Sequence, residues 1–80
     1  MLEERLNQEL AQVRARKKLP TPTARQAVRE RSGITQAALA RVLEVDPATV
    51  SRWESGERVP SGERLTAYLA ALDRLAREAL

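Results

Sequence analysis

Apolar side chains recur at helical spacing along most of this chain, and their pattern predicts about five helices. Proline, glycine or polar residues interrupt the pattern near residues 19–22, 33–35, 44–46 and 56–61. No segment shows the strict alternation of apolar and polar residues that is typical of a strand. The sequence therefore predicts an all-α fold, a small helical bundle.

The first predicted helix runs from residue 2 to about residue 18 and has one narrow apolar stripe. Its acidic residues come early and its basic residues late, an order that complements the helix dipole. The stripe can dock on its own domain or contact a second copy or another protein, and the sequence leaves both open. We divide the chain into an N-terminal helix with a basic end, 1–20, and a second domain, 21–80. The stripe consists of Leu2, Leu6, Leu10 and Val13.

The second predicted helix, at residues 22–31, follows a break in the pattern. Pro20 ends the first helix because proline has no N–H and clashes with the preceding turn. Thr21 and Pro22 resemble an N-cap followed by the first helical position, and Gly33 is placed to close the helix. We expect its buried side to consist of Ala24, Ala27 and Val28.

Residues 34–60 predict two short helices joined by a tight turn. Thr35 is placed to cap the first helix, and Asp46 to cap the second with Pro47 at its first position. Gly56 then ends the second helix. Two helices of roughly 8 to 10 residues, separated by about three, match a helix-turn-helix, whose second helix lies in the DNA major groove.

The last predicted helix begins after Ser61 and runs toward Ala79. At 1.5 Å per residue it is about 27 Å long, which exceeds what a small core needs to cover. We therefore expect its far end to overhang and to pair with a second copy of the chain. The stripe for this contact is Leu65, Leu69, Leu72 and Ala76, with Tyr68 and Leu75 beside it.

The tetrapeptide Ser-Gly-Glu-Arg occurs twice, at residues 55–58 and 61–64. In the first copy the glycine is placed to close a helix, and in the second the serine is placed to open one. Because one copy is placed at the end of a helix and the other at the start of one, we interpret the repeat as coincidence.

The chain is basic, with 14 Lys+Arg against 11 Asp+Glu and a net charge of +3. Between Leu10 and Ile34 the only acid is Glu30. This clustering favours a polyanionic partner, although charge alone does not separate DNA from a membrane or a soluble surface. The bases of this segment are Arg14, Arg16, Lys17, Lys18, Arg25, Arg29 and Arg31.

The composition excludes several classes of function. Neither Cys nor His occurs, which removes disulfides, thiol chemistry, zinc fingers and imidazole bases. The remaining carboxylates and lysines form no spaced catalytic constellation, so we expect no enzyme, no cofactor and no metal. Acidic residues follow Met1, and no apolar run approaches the ~18 residues of a membrane span. We expect a cytoplasmic protein that associates with the nucleoid when it binds DNA.

The residues of the central segment resemble the XRE family, the phage-repressor and Cro type of helix-turn-helix. The resemblance covers roughly residues 23–72 and implies a lambda-repressor-like, DNA-binding transcription regulator of a bacterium or a phage. The family usually has a glycine at the turn, where this chain has Glu44. If the backbone there is left-handed, a non-glycine residue costs on the order of 1 kcal/mol, so the turn is either slightly strained or adjusted to avoid positive φ. The matching residues are Thr35, Gln36, Leu39, Ala40, Leu43, Val45, Thr49, Val50, Ser51, Trp53, Glu54, Ser55, Gly56, Arg58 and Pro60.

The resemblance also implies which residues touch DNA. The recognition helix, 47–55, would present Pro47, Ala48, Thr49 and Arg52 to base edges, with Val50 and Trp53 facing inward. Thr35, Gln36, Ser55, Gly56 and Arg58 would bind phosphates, Gln36 through an outward amide. Three interpretations stay open for the basic helix end: a solvated surface, a phosphate-contacting arm, or a site for an acidic partner. This end consists of Arg14, Arg16, Lys17 and Lys18.

Two hypotheses about function follow. The first is a sequence-specific regulator of double-stranded DNA, a repressor that acts as a homodimer on a two-fold operator. The alternative is a small antitoxin-like or adaptor protein that mainly binds another protein through its apolar helix stripes.

Overall fold

The computed structural model describes residues 1–78, which form five α-helices and no strand. The all-α prediction is confirmed, and the observed helices begin and end close to the predicted positions. The predicted continuation of the last helix to Ala79 lies outside the described residues. No helix within residues 1–78 is long and apolar enough to cross a membrane. The helices are α1 (Leu2–Lys17), α2 (Pro22–Ser32), α3 (Gln36–Leu43), α4 (Pro47–Ser55) and α5 (Gly62–Glu78).

The helix starts follow the predicted caps, with one difference. The Thr21 hydroxyl accepts the N–H three residues later at 3.2 Å, and the Thr35 hydroxyl does the same at 3.0 Å. Asp46 occupies the N-cap position of α4, but its side chain makes no capping hydrogen bond. Its backbone carbonyl instead accepts the Thr49 N–H at 2.9 Å. Asp46 is therefore the N-cap residue as predicted, but its carboxylate contributes no capping hydrogen bond.

The core lies where α2, α3 and α4 pack around α5. The Trp53 and Tyr68 rings meet at its centre, with their centroids 4.7 Å apart and their planes tilted by 40°. Aliphatic side chains fill the space around this aromatic pair, as the near-absence of other aromatics requires. The buried apolar residues are Leu39, Ala40, Val50, Trp53, Leu65, Tyr68 and Leu72.

The stripe predicted for pairing along α5 is mostly core. Leu65 is 0% exposed and Leu72 is 4% exposed. Leu69 is half-buried, and only Ala76 is exposed. Leu65 and Leu72 cannot contact a second copy without leaving their own core, so the predicted dimer face on α5 is wrong. The physical reason is that the preceding helices pack on this face.

The exposed leucines lie on α1 rather than on α5. The second half of α1 rests on α5, where the Gln12 side-chain oxygen accepts the Gly62 N–H at 2.9 Å. The first half makes no such contact, and Leu2, Leu6 and Leu10 are 78%, 55% and 43% exposed. Of the two interpretations left open for this helix, docking on its own domain describes only the second half.

The buried side of α2 also differs from the prediction. Ala24, Ala27 and Val28 are only half-buried. The deepest side chains of α2 are Arg25 and Arg29, at 7% and 9% exposure. Two of the bases expected to face a polyanion are therefore inside the protein.

Candidate nucleic-acid interface

The α4 helix has one buried and one exposed face. Val50 and Trp53 are buried against the core, as the three-residue spacing predicted. On the opposite side Pro47, Ala48 and Arg52 are exposed, and Thr49 is half-buried. The core thus fixes the direction in which the other face points.

The turn between α3 and α4 contains a left-handed residue. Glu44 has φ 57° and ψ 44°, and within residues 1–78 it is the only non-glycine residue with positive φ. The Val45 N–H donates to the Ala40 carbonyl at 3.0 Å across this turn. Of the two alternatives that the sequence left open, the structure has the left-handed backbone, and the chain keeps the turn without the usual glycine.

A buried ion pair connects the three helices that surround the turn. Arg29 of α2 donates to both Glu54 oxygens of α4, from Nε at 2.6 Å and from Nη2 at 3.0 Å. Its Nη1 donates to the Ile34 carbonyl at 3.0 Å, just before α3. The hydrogen bond with Glu54 raises the pKa of Arg29, so the guanidinium stays charged although it is buried. This bidentate geometry fixes α2 and α4 relative to each other.

Gln36 of α3 belongs to this buried cluster. Its Nε2 donates to Glu54 Oε1 at 3.0 Å, and the residue is half-buried. The prediction that its amide faces outward is therefore wrong, because the Glu54 carboxylate attracts the amide donor. Thr35 beside it is exposed, and its hydroxyl caps α3. The phosphate-binding roles of Gln36 and Thr35 stay predictions.

Arg25 also has a structural role at α4. Its Nη1 donates to the Trp53 carbonyl at 2.9 Å, and its Nε donates to the Pro20 carbonyl at 2.8 Å. The guanidinium therefore satisfies a backbone acceptor near the C-terminal end of α4 and holds the segment before α2. Sequence reasoning missed the burial of both arginines because the partners on α4 lie far away along the chain. Trp53 is 28 positions from Arg25, and Glu54 is 25 positions from Arg29.

Local hydrogen bonds close the end of α4. The Ser55 hydroxyl donates to the Arg52 carbonyl at 3.1 Å and accepts the Glu57 N–H at 3.3 Å. Gly56 has φ 82°, and a Cβ added there would lie 3.1 Å from Pro22 Cγ. The predicted helix end is confirmed, and Gly56 is needed both for its conformation and for the close approach of α2.

Three arginines surround a cleft beside the exposed face of α4. The cleft has a volume of about 300 Å³, and Arg52, Arg58, Arg64 and Thr49 are among its lining residues. Sequence reasoning identified Arg52 and Arg58 but not Arg64. The repeated Ser-Gly-Glu-Arg was the missed signal, since its two glycines do lie at a helix end and a helix start, yet both arginines line one cleft.

The basic end of α1 is only partly near this cleft. All four side chains are exposed. Arg16 borders a second groove with Ser61, and Ser61 also lines the arginine cleft. Lys18 instead borders a groove between α1, α2 and α5. The three interpretations of Arg14, Arg16, Lys17 and Lys18 therefore all stay open.

The comparison with protein families supports this geometry. A family model described as helix-turn-helix matches residues 26–78, more than half of the chain. The match runs from within α2 to the end of α5 and leaves α1 outside it. Neither the curated proteins nor the solved structures gave a significant match.

Proposed function

Because the chain belongs to the helix-turn-helix family of XRE type, whose members bind DNA as regulators, we propose that it is a sequence-specific transcriptional repressor. It acts on double-stranded DNA in the cytoplasm, as a homodimer on a two-fold operator. The observation that carries the proposal is the orientation of α4. Its buried Val50 and Trp53 anchor the helix, while Thr49 and Arg52 border an open, arginine-lined cleft.

In this proposal α4 enters the major groove and reads bases. The exposed Arg52 guanidinium matches the O6 and N7 acceptors of guanine, and such a pair discriminates by about 1–3 kcal/mol. Thr49 and Ala48 offer methyl groups to thymine, and Thr49 also offers a hydroxyl. Pro47 stands at the start of the helix, where the backbone approaches the DNA most closely.

Phosphates are held on both sides of α4. Thr35 and Gln36 lie at the start of α3, where free backbone N–H groups favour an anion. Past the end of α4, Ser55 and Gly56 lead into Arg58, and we add Arg64 to this second group. Contacts of this kind position the protein, whereas the residues of α4 specify the sequence.

A homodimer strengthens this binding. Two copies place two recognition helices about one helical turn apart, ~34 Å, on a two-fold operator. They also double the number of phosphate contacts, each of which adds to affinity at moderate salt. A single module of this size offers few such contacts.

Fluorescence anisotropy tests specific reading, with a duplex enriched by selection and a scrambled duplex of equal length. We expect Arg52→Ala to lower affinity for the enriched duplex by about 10-fold or more and to reduce its preference over the scrambled one. Arg58→Ala should weaken both complexes equally. Arg77→Ala, at the far end of α5, is the control and should change neither. Equal affinity for every duplex, unchanged by Arg52→Ala, would defeat the proposal.

A second candidate function follows from the exposed α1 stripe. An antitoxin-like or adaptor protein would use Leu2, Leu6 and Leu10 to bind a different protein, with DNA binding secondary or lost. Co-purification from the native host separates the two functions. A stoichiometric second protein, lost on Leu6→Glu, favours the adaptor, whereas recovery of the chain alone favours the repressor.

A further inference from the structure

The largest exposed apolar side chains of the protein are concentrated on α1. Leu2, Leu6 and Leu10 follow one another at four-residue spacing and therefore share a face of the helix. The side of α1 that rests on α5 includes the half-buried Gln12 and Ala15, and Gln12 accepts the Gly62 N–H there. Leu2 and Leu6 lie outside this contact and stay mostly exposed.

Residues 1–78 leave this apolar face largely exposed. The second half of α1 is held on α5, and α1 is one continuous helix of 16 residues without a proline or glycine at which it could fold back. The family match begins at residue 26, so the helix-turn-helix unit does not include this face. A second molecule can therefore reach it.

The charges along α1 indicate which partner fits. The first half carries Glu3, Glu4 and Glu9 against one base, Arg5. The second half carries three bases and no acid, and a fourth base, Lys18, follows as the C-cap residue. Apart from a contact between the Met1 amino group and Glu4, no salt bridge within residues 1–78 involves a charged side chain of α1. Two such helices placed antiparallel set the acidic half of each beside the basic half of the other.

We propose that α1 pairs antiparallel with α1 of a second copy and is the dimer contact of this protein. The two copies of Leu10 meet near the middle of the pair, and Leu6 of each copy lies beside the half-buried Val13 of the other. The acidic and basic halves face each other at both ends. A two-fold axis then crosses the middle of α1, because each copy uses the same surface. This contact replaces the stripe on α5, whose leucines are buried in the core.

The inference deepens the proposed homodimer, and it rests on the proposed function only for the role of the dimer on DNA. Self-association can be measured without DNA, so an experiment can refute the α1 pairing without refuting the proposed function, and the reverse. A protein that stays monomeric and still binds one sequence specifically would overturn the pairing and leave the proposed function standing. A dimer that binds all DNA sequences equally would support the pairing and overturn the proposed function.

Sedimentation velocity of the full chain, from low to high micromolar, tests the pairing. We expect a monomer–dimer equilibrium that Leu6→Glu with Leu10→Glu shifts at least tenfold toward monomer. Val42→Glu is the matched control, because Val42 is 68% exposed on α3, outside the proposed contact, and it should leave the equilibrium unchanged. Circular dichroism melting checks that each variant keeps its helices.

Charge reversal tests the antiparallel direction. One variant carries Glu3→Lys, Glu4→Lys and Glu9→Lys, and the other carries Arg14→Glu, Lys17→Glu and Lys18→Glu. Each alone should be monomeric, because like charges meet at both ends of the pair. Their mixture should form a heterodimer, because a helix without acids then faces one whose charges are mainly acidic.

Three outcomes overturn the inference. The first is a wild-type chain that stays monomeric at several hundred micromolar, including one that instead binds lipid vesicles or another protein. The second is a dimer that persists in the double Leu→Glu variant, which places the contact elsewhere. The third is a pair of charge-reversed variants that dimerise separately but not together, which excludes antiparallel pairing.

Discussion

Glu44 is the residue whose backbone departs most from what its side chain prefers. A Cβ in the left-handed region costs roughly 1 kcal/mol, and this position lies between the two helices of the DNA-binding motif. The sequence indicated a possible strain, because the family usually has a glycine at this position and this chain has Glu44. It did not indicate which backbone conformation Glu44 adopts, since the turn could also have avoided positive φ.

We predict that Glu44→Gly raises the free energy of unfolding by about 1 kcal/mol, because glycine adopts φ 57° without strain. Urea denaturation measures the change. Glu44→Ala is the matched control and should give no such gain, since alanine keeps the Cβ. A loss of stability with glycine would mean that the turn is not strained.

Tyr68 is the only tyrosine of the chain, so its ionisation can be followed alone. Burial, with a smaller contribution from the nearby Glu54 charge, raises the pKa of Tyr68 to about 12. Its hydroxyl has no hydrogen-bond partner among the described residues. The unfolded chain, with an ordinary tyrosine pKa of about 10, therefore loses this proton first as pH rises.

We predict that phenolate absorbance of the folded protein titrates near pH 12. Stability should be unaffected by this group below pH ~10 and should decline between about pH 10 and 12, because only the unfolded state then releases the proton. Tyr68→Phe should remove that part of the decline. A midpoint near 10 in the folded protein would contradict the buried environment of the hydroxyl.

At the scale of the elements, Arg29 and Glu54 hold α2 and α4 together through a bidentate pair that is almost fully buried. The same carboxylate also accepts the Gln36 amide of α3. This cluster and the core contacts of Val50 and Trp53 fix the angle of α4. A change in it should therefore affect stability and DNA binding together.

We predict that Glu54→Gln lowers the free energy of unfolding by about 3 kcal/mol, because it leaves the Arg29 charge buried without a counter-charge. Thermal and urea unfolding measure the loss. Glu78→Gln removes an exposed pair with Arg74 and is the control, with an expected change below about 0.5 kcal/mol. Equal small effects of both substitutions would mean that the buried pair does not fix α4.

The helices could be predicted from the sequence because their signals are local. Thr21, Thr35 and Gly56 act within a few residues of the helix ends that they determine. The inward positions of α4 follow from its period and were also predictable. The burial of Arg25 and Arg29 was not, because each is compensated by a partner distant along the chain.

At the scale of the whole molecule, helical spacing predicted an exposed apolar stripe on α5, whereas the exposed leucines lie on α1. The stripes of α1 and α5 have similar spacings, and the sequence does not say which one the other helices cover. The fold buries Leu65 and Leu72 and leaves Leu2 and Leu6 exposed. The exposed and buried sides of α4 were better predicted, whereas Arg64 was not identified and the Gln36 amide faces inward. The roles of these residues on DNA stay predictions.

Repeated selection of the full chain on random DNA duplexes tests the central claim most directly, that this protein reads one DNA sequence through α4. We expect enrichment of a motif made of two related half-sites in inverted orientation, about one helical turn apart. With Arg52→Ala, the preference at one base pair of each half-site should disappear. No enriched motif after several rounds, or the same motif with and without Arg52, would contradict the account.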